Sequence, residues 1–457
     1  MSTKWKVDRA KFFALITLAI ATLFSNTVAQ NDGTEQNAIG RAGTFAIVGA
    51  RIVTVSGATI ENGTVVIQNG KIAAVGAAVS VPAGAERIDG KGLSVYPGMI
   101  DAGTNMGLAE ITLAVPGSVD LTEVAVNNAS AMAIKGIHPD SAHINVTRIN
   151  GITTVMSIPG GGVIGGRSAV INLNGATPDE MAVTPVYGLV VNFPRIALGG
   201  GFGGGFGGGG QPVDFNEAVK RRDSAVDDLK KMFRNADNYA RAREAYEKDK
   251  TLAYPPNDPR LEAMIPYLRG EKPVIFAAER ERDIKAVAKF VGEMKLKGII
   301  LGGQDAWKAA EDLKKNNISV IYTNIYALPV QDDDPYDYLF EAPSKMAAAG
   351  VKFCISTGDT GPEVRDLPYH AGLAGAFGLS YDDAVKAVTL YPAEILGVAD
   401  KMGSIDVGKM ANIVVADGSI LEPRTNIKYE FIGGRLIPLT SRHTRLFDAF
   451  KDRKMPQ

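Results

Sequence analysis

The pattern of apolar and polar residues divides the chain into three parts. Near the start, residues 45–76 alternate β-branched and polar residues and contain two Asn-Gly pairs, Asn62-Gly63 and Asn69-Gly70. Asn-Gly accepts the positive φ of a tight hairpin turn, so this segment is predicted to form a meander of antiparallel strands. Short strands with glycine turns recur in residues 403–437. Both ends of the chain are therefore predicted to be rich in β-structure.

The middle of the chain alternates short apolar runs with amphipathic helical ones. Examples are VIFAA before DIKAVAKFVGEM, GIILGG before AWKAAEDLKKN, and VKFCISTG before LPYHAGLAGAFG. This rhythm predicts parallel strands joined by crossover helices, arranged either as a closed barrel or as a doubly wound sheet. In both arrangements, side chains that act on a ligand are expected just after the C-terminal ends of the strands.

Residues 199–255 interrupt that rhythm. Residues 199–210 contain ten glycines and two phenylalanines, which predicts a flexible loop. The charged segment that follows has apolar residues at helical spacing and stops before Pro255-Pro256. We interpret the pair as an insertion over the mouth of the parallel strands. It is either a lid or a solvated surface excursion, and the second is favoured.

Composition and charge narrow the class of protein. The 457 residues are 46% hydrophobic and 22% charged, with a net charge of -1, which is typical of a globular protein and gives no reason to expect nucleic acid or an anionic membrane as partner. Four basic residues precede the apolar stretch 12–24, which is shorter than the ~20 residues of a membrane span. Residues 1–29 are therefore predicted to be a cleavable signal peptide, and the protein to be periplasmic or secreted.

Two stretches carry a resemblance to a known family: VYPGMIDAGTN at 95–105 and AVKAVTLYPAEILGVADKMGSIDVGKMANIVVADG at 384–418. They resemble the amidohydrolase superfamily, especially its imidazolonepropionase-like and dihydroorotase-like branches, and the resemblance extends over about 45–437. It implies an α/β fold in which a small β-sandwich from both chain ends, 45–95 and 403–437, adjoins a (β/α)8 TIM-like barrel over about 96–400. It also implies hydrolysis of non-peptide carbon–nitrogen bonds in a small cyclic or acyl-amide substrate, with zinc or another divalent metal.

The metal motif of that family is altered in this chain. Members of the family have the motif Asp-x-His-x-His at the end of the first barrel strand. Neutral imidazoles on alternate residues project to one side of the strand and hold a metal ion. Here those positions are Gly103 and Asn105. The histidines after the fifth and sixth strands would align with residues 277 or 278 and 302 or 303, which are alanines and glycines. Metal binding is therefore predicted to be weak or absent.

One acidic residue of the family pattern is matched. Asp359, after the eighth strand, corresponds to the aspartate that in active relatives binds metal and acts as general base on water. His370 follows shortly after it. We predict these two as catalytic residues, with Asp359 as a metal ligand only if a metal is bound. The predicted substrate-pocket residues are Thr104, Asn105, Glu279, Asp305 and Arg365.

Carboxylates offer an alternative site. Four carboxylates follow predicted barrel strands: Asp101, Glu279, Asp305 and Asp359. Together they would suit a hard cation such as Mg2+ or Ca2+, with Asp101 as a further metal ligand. The competing interpretation is surface ion pairing with neighbours such as Arg280, and it is favoured.

Residues 161–168, GGVIGGRS, approximate a phosphate loop, but a strand pattern rather than a helix follows, so a nucleotide site is rejected.

Three functions remain open. The chain is a carbon–nitrogen hydrolase with a reduced metal site around Asp359, a catalytically inactive relative that binds a small molecule or pairs with an active amidohydrolase, or an enzyme whose metal-free catalysis uses Asp359, His370 and Arg365. The expected partners are a small-molecule substrate or ligand and either a second copy or a related amidohydrolase. Neither nucleic acid nor a membrane span is expected.

Overall fold

A computed structural model describes residues 37–111, 116–196, 214–329, 333–358 and 361–453. The predicted signal segment, the glycine-rich loop of residues 199–210 and Asp359 lie outside these described residues. Within the described ranges, no helix is long and apolar enough to cross a membrane.

Strands and helices alternate along most of the described chain. The strands are β1 Phe45–Ile52, β2 Ile60–Gln68, β3 Lys71–Gly76, β4 Glu86–Asp89, β5 Ser94–Pro97, β6 Met99–Thr104, β7 Ile152–Ser157, β8 Ile164–Arg167, β9 Ala169–Asn172, β10 Ala182–Thr184, β11 Leu189–Asn192, β12 Val274–Ala278, β13 Gly298–Gly302, β14 Ser319–Tyr322, β15 Phe353–Ile355, β16 Ile413–Ala416, β17 Ile427–Ile432 and β18 Arg435–Leu436. The α-helices are α1 Ala133–Gly136, α2 Ala142–Arg148, α3 Pro178–Met181, α4 Phe215–Lys248, α5 Pro259–Leu268, α6 Glu281–Met294, α7 Ala310–Lys315, α8 Tyr338–Ala348, α9 Leu367–Ala376, α10 Tyr381–Ala387, α11 Leu390–Ile395 and α12 Arg442–Phe450.

One eight-stranded sheet combines the two ends of the described chain. Its order is β18-β17-β16-β5-β1-β2-β3, with β4 paired to β1. β5 joins the two ends, because it pairs parallel with β1 and antiparallel with β16. Phe45 and Phe431, from opposite ends, pack edge to face with ring centroids 5.1 Å apart. The two β-rich ends therefore share one sheet and one apolar cluster.

The two Asn-Gly pairs have different roles in that sheet. Asn69 and Gly70, with φ of 51° and 78°, form the predicted turn between β2 and β3. Asn62 and Gly63 instead lie inside β2, where the pairing with β1 is irregular, and Asn62 has φ of 52°. The hairpin predicted at Asn62-Gly63 is wrong. Asn-Gly accommodates a positive φ in an irregular strand as well as in a turn.

The middle of the chain contributes two further sheets. In the first, β6 and β7 are parallel, and β9 and β10 extend it antiparallel. In the second, β11 to β15 run parallel in order, with β8 antiparallel at the β11 edge. Only Ser168 separates β8 from β9, so the chain passes directly from one sheet to the other. The expected α/β class, with parallel strands joined by helices, is confirmed at this level.

The charged segment after the glycine-rich loop forms the 34-residue helix α4. Asp214 caps it by accepting hydrogen bonds from the backbone N–H groups of Asn216 and Glu217. Its buried side chains include Leu229 and Phe233, and the Phe233 ring lies 5.5 Å from Phe290 of α6. The remainder of the helix surface is mostly charged and exposed. A stripe of apolar side chains therefore holds α4 against α6.

Candidate functional site

A cavity of about 310 Å3 opens where the parallel strands end. Every strand from β11 to β15, together with β6 and β7, contributes a residue at or just beyond its C-terminal end. Parallel α/β folds place their ligands at this edge. The polar residues on the wall are Thr104, Asn105, Asn192, Glu279 and Thr323, and the larger apolar ones are Leu121, Ile158, Pro159, Val190 and Leu301.

Two glycines on the wall are at positions for which the family resemblance predicts histidine: Gly103, and Gly302 as one of the two candidates, 302 and 303. A Cβ on Gly103 would lie 2.9 Å from Leu301 Cδ1 and 3.0 Å from Ser356 Oγ. A Cβ on Gly302, whose φ is 108°, would lie 2.3 Å from Glu279 Oε1. Neither position has room for a side chain unless its neighbours move. The neighbouring side chains have filled the space that an imidazole would need.

Glu279 supplies the carboxylate on the described part of the wall. It follows β12, and its Oε2 accepts hydrogen bonds from Asn324 Nδ2 at 2.8 Å and from the backbone N–H of Gln304 at 3.3 Å. No donor among the described residues reaches its Oε1. Burial raises the pKa of Glu279, and the two hydrogen bonds oppose that rise only in part. Burial therefore shifts the protonation equilibrium of Glu279 toward its neutral form.

Asp101 is buried beneath the cavity and does not line it. It accepts hydrogen bonds from the Ser356 hydroxyl, from the Thr357 N–H and hydroxyl at 3.2 and 2.6 Å, and from the Gly103 N–H at 3.2 Å. Burial raises the pKa of Asp101, although these donors act in the opposite direction. The carboxylate joins β6 to the segment after β15. Its donors already occupy both of its oxygens.

The other predicted site residues do not line the cavity. Asp305 is 5% exposed and accepts hydrogen bonds from the Tyr338 hydroxyl and from the Glu281 N–H, with Arg280 3.7 Å away. Its pairing with Arg280 matches the competing interpretation, but it takes place in the interior rather than at the surface. Arg365 lies near His443 and Asp366. Asp359 is outside the described residues, although Gly358, which precedes it, lines the cavity.

His370 is buried against a tyrosine. It is 2% exposed, its ring centroid lies 4.1 Å from that of Tyr326, and its Nδ1 has no partner in the described part of the chain. Burial lowers the pKa of His370 to about 4, so the imidazole is neutral at pH 7. Of the six predicted residues other than Asp101 that the structure describes, the cavity unites Thr104, Asn105 and Glu279.

Sequence reasoning missed Asn192, Thr323 and Asn324. Asn192 is the last residue of β11, and Thr323 and Asn324 directly follow β14. Each is a polar residue that ends an apolar run, VVN and VIYTN. The same signal identified Glu279, and applying it at every strand end would have found all three.

A metal site was also sought among the described residues. They contain no group of three or more His, Cys, Asp or Glu side chains arranged to hold a metal ion. His138 pairs with Asp120 at 2.9 Å, and His143 Nε2 lies 3.0 Å from the carbonyl oxygen of Glu110.

Comparison with known proteins shows sequence similarity to amidohydrolases. The sequence model of the amidohydrolase family matches residues 303–437. Over 391 residues the chain is 25% identical to amidohydrolase tasK of Hapsidospora irregularis, a match that covers 79% of this chain and 38% of that protein. The chain thus spans well under half the length of this curated relative.

Solved structures share the fold. An amidohydrolase from Thermotoga maritima MSB8 matches with a TM-score of 0.75 and 23% identity, over 87% of this chain and 100% of that one. Molinate hydrolase matches with a TM-score of 0.52 and 19% identity, over 88% and 96% of the two chains. These structures show that the chain has the amidohydrolase fold, and its sequence is similar to the amidohydrolase family over residues 303–437.

Proposed function

We propose that this chain binds a small molecule in the cavity at the strand ends and that the metal site of its family is degenerate. One observation carries the proposal. The cavity keeps its place at the C-terminal ends of seven strands, but the described wall has one carboxylate, two asparagines and two threonines as its polar side chains, and no imidazole. Such a wall can form hydrogen bonds with a ligand. This matches the inactive, ligand-binding relative among the three functions.

The proposal includes closure of the parallel strands into a (β/α)8 barrel, with the terminal sheet as the sandwich over 45–95 and 403–437. Two features support it. Asp101 joins β6 to the segment after β15 by hydrogen bonds, and β8 and β9 join the two middle sheets. The strands that contribute to the cavity would then surround it.

Removal of residues 1–29 on export and association with a second copy or a related amidohydrolase are also proposals, supported by the sequence.

The family metal does not fit the described donors. A catalytic zinc ion needs three protein ligands of nitrogen, sulfur or carboxylate oxygen. Gly103 and Gly302 offer no donor, Ala277 on the wall offers none, and an amide oxygen such as that of Asn105 is a weak ligand for zinc. Glu279, even together with Asp359, would leave the ion short of a ligand. We therefore derive no step through a metal.

Calorimetric titration of metal-free protein with succinimide, hydantoin and benzamide tests the binding function. We expect saturable binding of at least one probe, and its loss in Ala277→Phe, which fills the cavity. Ala347→Phe is the matched control, because Ala347 lies exposed on α8, away from the cavity wall. Binding that survives Ala277→Phe, or the absence of binding to every probe, would contradict the proposal.

A second candidate is hydrolysis of a non-peptide carbon–nitrogen bond, as the family implies. The observation in its favour is the raised pKa of Glu279, because burial favours the protonated carboxyl group, the form that can donate a proton to a leaving nitrogen. Release of product from the same probes, lost in Glu279→Gln, would establish this function. Binding without product in the wild-type protein would leave only the first.

A further inference from the structure

The charge of the cavity wall is unbalanced. Among the described residues that line it, Glu279 is acidic, and none is lysine, arginine or histidine. The remaining polar groups are amides, hydroxyls and backbone. On the described part of the wall, a ligand therefore meets one acidic side chain and no basic one.

The basic side chain next to Glu279 in the sequence, Arg280, pairs with a different carboxylate. Arg280, the next residue along the chain, points its guanidinium toward Asp305, with an N–O distance of 3.7 Å. Glu279 itself forms no ion pair with any residue in the described ranges. Its two hydrogen bonds come from neutral donors, Asn324 and the Gln304 N–H, and both end on Oε2. Arg280 and Arg195 attract Glu279 at longer range and lower its pKa in part, but no described cation contacts its carboxylate.

Glu279 lines the cavity and has one carboxylate oxygen, Oε1, that accepts no hydrogen bond from the described residues. The carboxylate lies beside Gly302, which also lines the cavity, and Oε1 is 2.3 Å from the point that a Cβ of residue 302 would occupy. A ligand that brings an N–H donor to this carboxylate would satisfy its free oxygen.

We propose that the cavity takes a small organic cation, an ammonium or amidinium group on an apolar body, with Glu279 as its counter-charge. This rests on the proposed binding function and names the class of ligand. The charged end would lie at Glu279 Oε1, and the apolar body would contact Leu121, Ile158, Pro159 and Leu301. The cavity volume of about 310 Å3 is at the lower end of those that hold small ligands, so a single ring is the size expected.

Two physical effects favour a cation. Coulomb attraction in a partly desolvated cavity is stronger than in water. A bound cation would also relieve the cost of burying Glu279 as an anion, a cost that the raised pKa of Glu279 in the free protein reflects. A neutral molecule of the same shape gains neither effect.

The test compares benzamidine with benzamide, which has nearly the same shape and no charge. We expect calorimetry at pH 8 to show benzamidine binding roughly tenfold or more tightly than benzamide in the wild-type protein. Glu279→Gln should remove that preference, because the amide keeps the shape of the side chain without its charge. The matched control is Glu311→Gln, whose side chain is 90% exposed on α7, and it should leave the preference unchanged.

A second variant covers the case in which Glu279→Gln fails to fold. Thr323→Lys adds a cation to the wall and should weaken benzamidine about tenfold while changing benzamide little. Equal affinity for the two probes, or a preference that survives Glu279→Gln or Thr323→Lys, would overturn the inference. If benzamide binds and benzamidine binds no more tightly, the ligand class is wrong and the binding function stands. If neither these probes nor the imides bind, the binding function itself fails.

Discussion

At the scale of single residues, Glu430 on β17 is a charged group that the sheet buries without hydrogen bonds. It is 0% exposed, and neither carboxylate oxygen has a partner among the described residues. Arg148 is the charge that acts on it, but the Arg148 guanidinium donates to the carbonyl oxygens of Ala38 and Leu173 instead. Burial raises the pKa of Glu430 well above its usual range, and the attraction of Arg148 lowers it only in part.

This burial predicts a pH dependence of stability. The unfolded chain loses the Glu430 proton near pH ~4.3, whereas the folded chain keeps it to higher pH. The free energy of unfolding therefore falls as pH rises from the pKa of Glu430 in the unfolded chain toward its higher pKa in the folded chain. Glu430→Gln removes the titration, so the melting temperature of the variant relative to wild type should increase from pH 5 to pH 8. Glu422→Gln, at an exposed position, is the control, and a pH-independent difference for Glu430→Gln would contradict the argument.

Replacing the Asp101 carboxylate by a neutral amide is expected to destabilise the fold, in contrast to Glu430→Gln. Its four donors come from the backbone and hydroxyls of Gly103, Ser356 and Thr357, and an asparagine amide would turn its own N–H groups toward some of them. Asp101→Asn should lower the free energy of unfolding by about 2 kcal/mol in urea denaturation. Asp400→Asn, at an exposed position, should change it by less than about 0.5 kcal/mol. Equal effects at both positions would refute this role.

At the scale of elements, the Asn69-Gly70 turn shows what local sequence predicts. Gly70 has φ of 78°, and a Cβ there would lie 3.1 Å from the carbonyl oxygen of Gly433. Gly84 has a similar φ of 83° with no atom within 4 Å. Gly84→Ala should therefore cost only the conformational term of about 1 kcal/mol, and Gly70→Ala should cost more. Thermal denaturation that ranks Gly84→Ala as the more costly change would contradict this account.

The sequence predicts elements better than it predicts their roles. The turn at Asn69-Gly70 follows from backbone preference alone, so it was predictable. The identical dipeptide at Asn62-Gly63 lies within β2, where the pairing with β1 continues on both sides of it with an irregular register. Likewise Thr104, Asn105 and Glu279 were predictable as wall residues because they end strands. Asp101 lies in β6, which Asn105 directly follows, but it is too deep to reach the cavity, and depth depends on how neighbouring strands are staggered.

His370 and Asp305 illustrate the same limit. Both follow predicted strands closely enough to be expected near the cavity, and both are buried by side chains from distant segments, Tyr326 in the first case and Tyr338 in the second. Neither contact leaves a pattern in the local sequence. The family resemblance gave the class of fold, but it could not show how this chain filled the space left by its missing histidines.

At the scale of the whole molecule, a cavity lies at the C-terminal ends of the parallel strands, and the described part of its wall contains no imidazole. Gly103 and Gly302 are not merely small, because Leu301, Ser356 and Glu279 now occupy the space that their side chains would need. Restoring histidine at 103 and 105 should therefore disturb these neighbours. Zinc affinity of the double variant Gly103→His with Asn105→His should rise only modestly, as measured by competition with a chromophoric chelator. Full restoration of tight zinc binding would show that the site had remained intact.

The most direct test of the account is the zinc content of the wild-type protein, measured by elemental analysis after purification without chelator and after equilibration with excess zinc followed by gel filtration. Glu279 and Asp359 alone are too few ligands for a catalytic zinc ion. The account predicts substoichiometric zinc under both conditions. One or two tightly bound zinc ions per chain would contradict it, since that result would require ligands that the described wall does not provide.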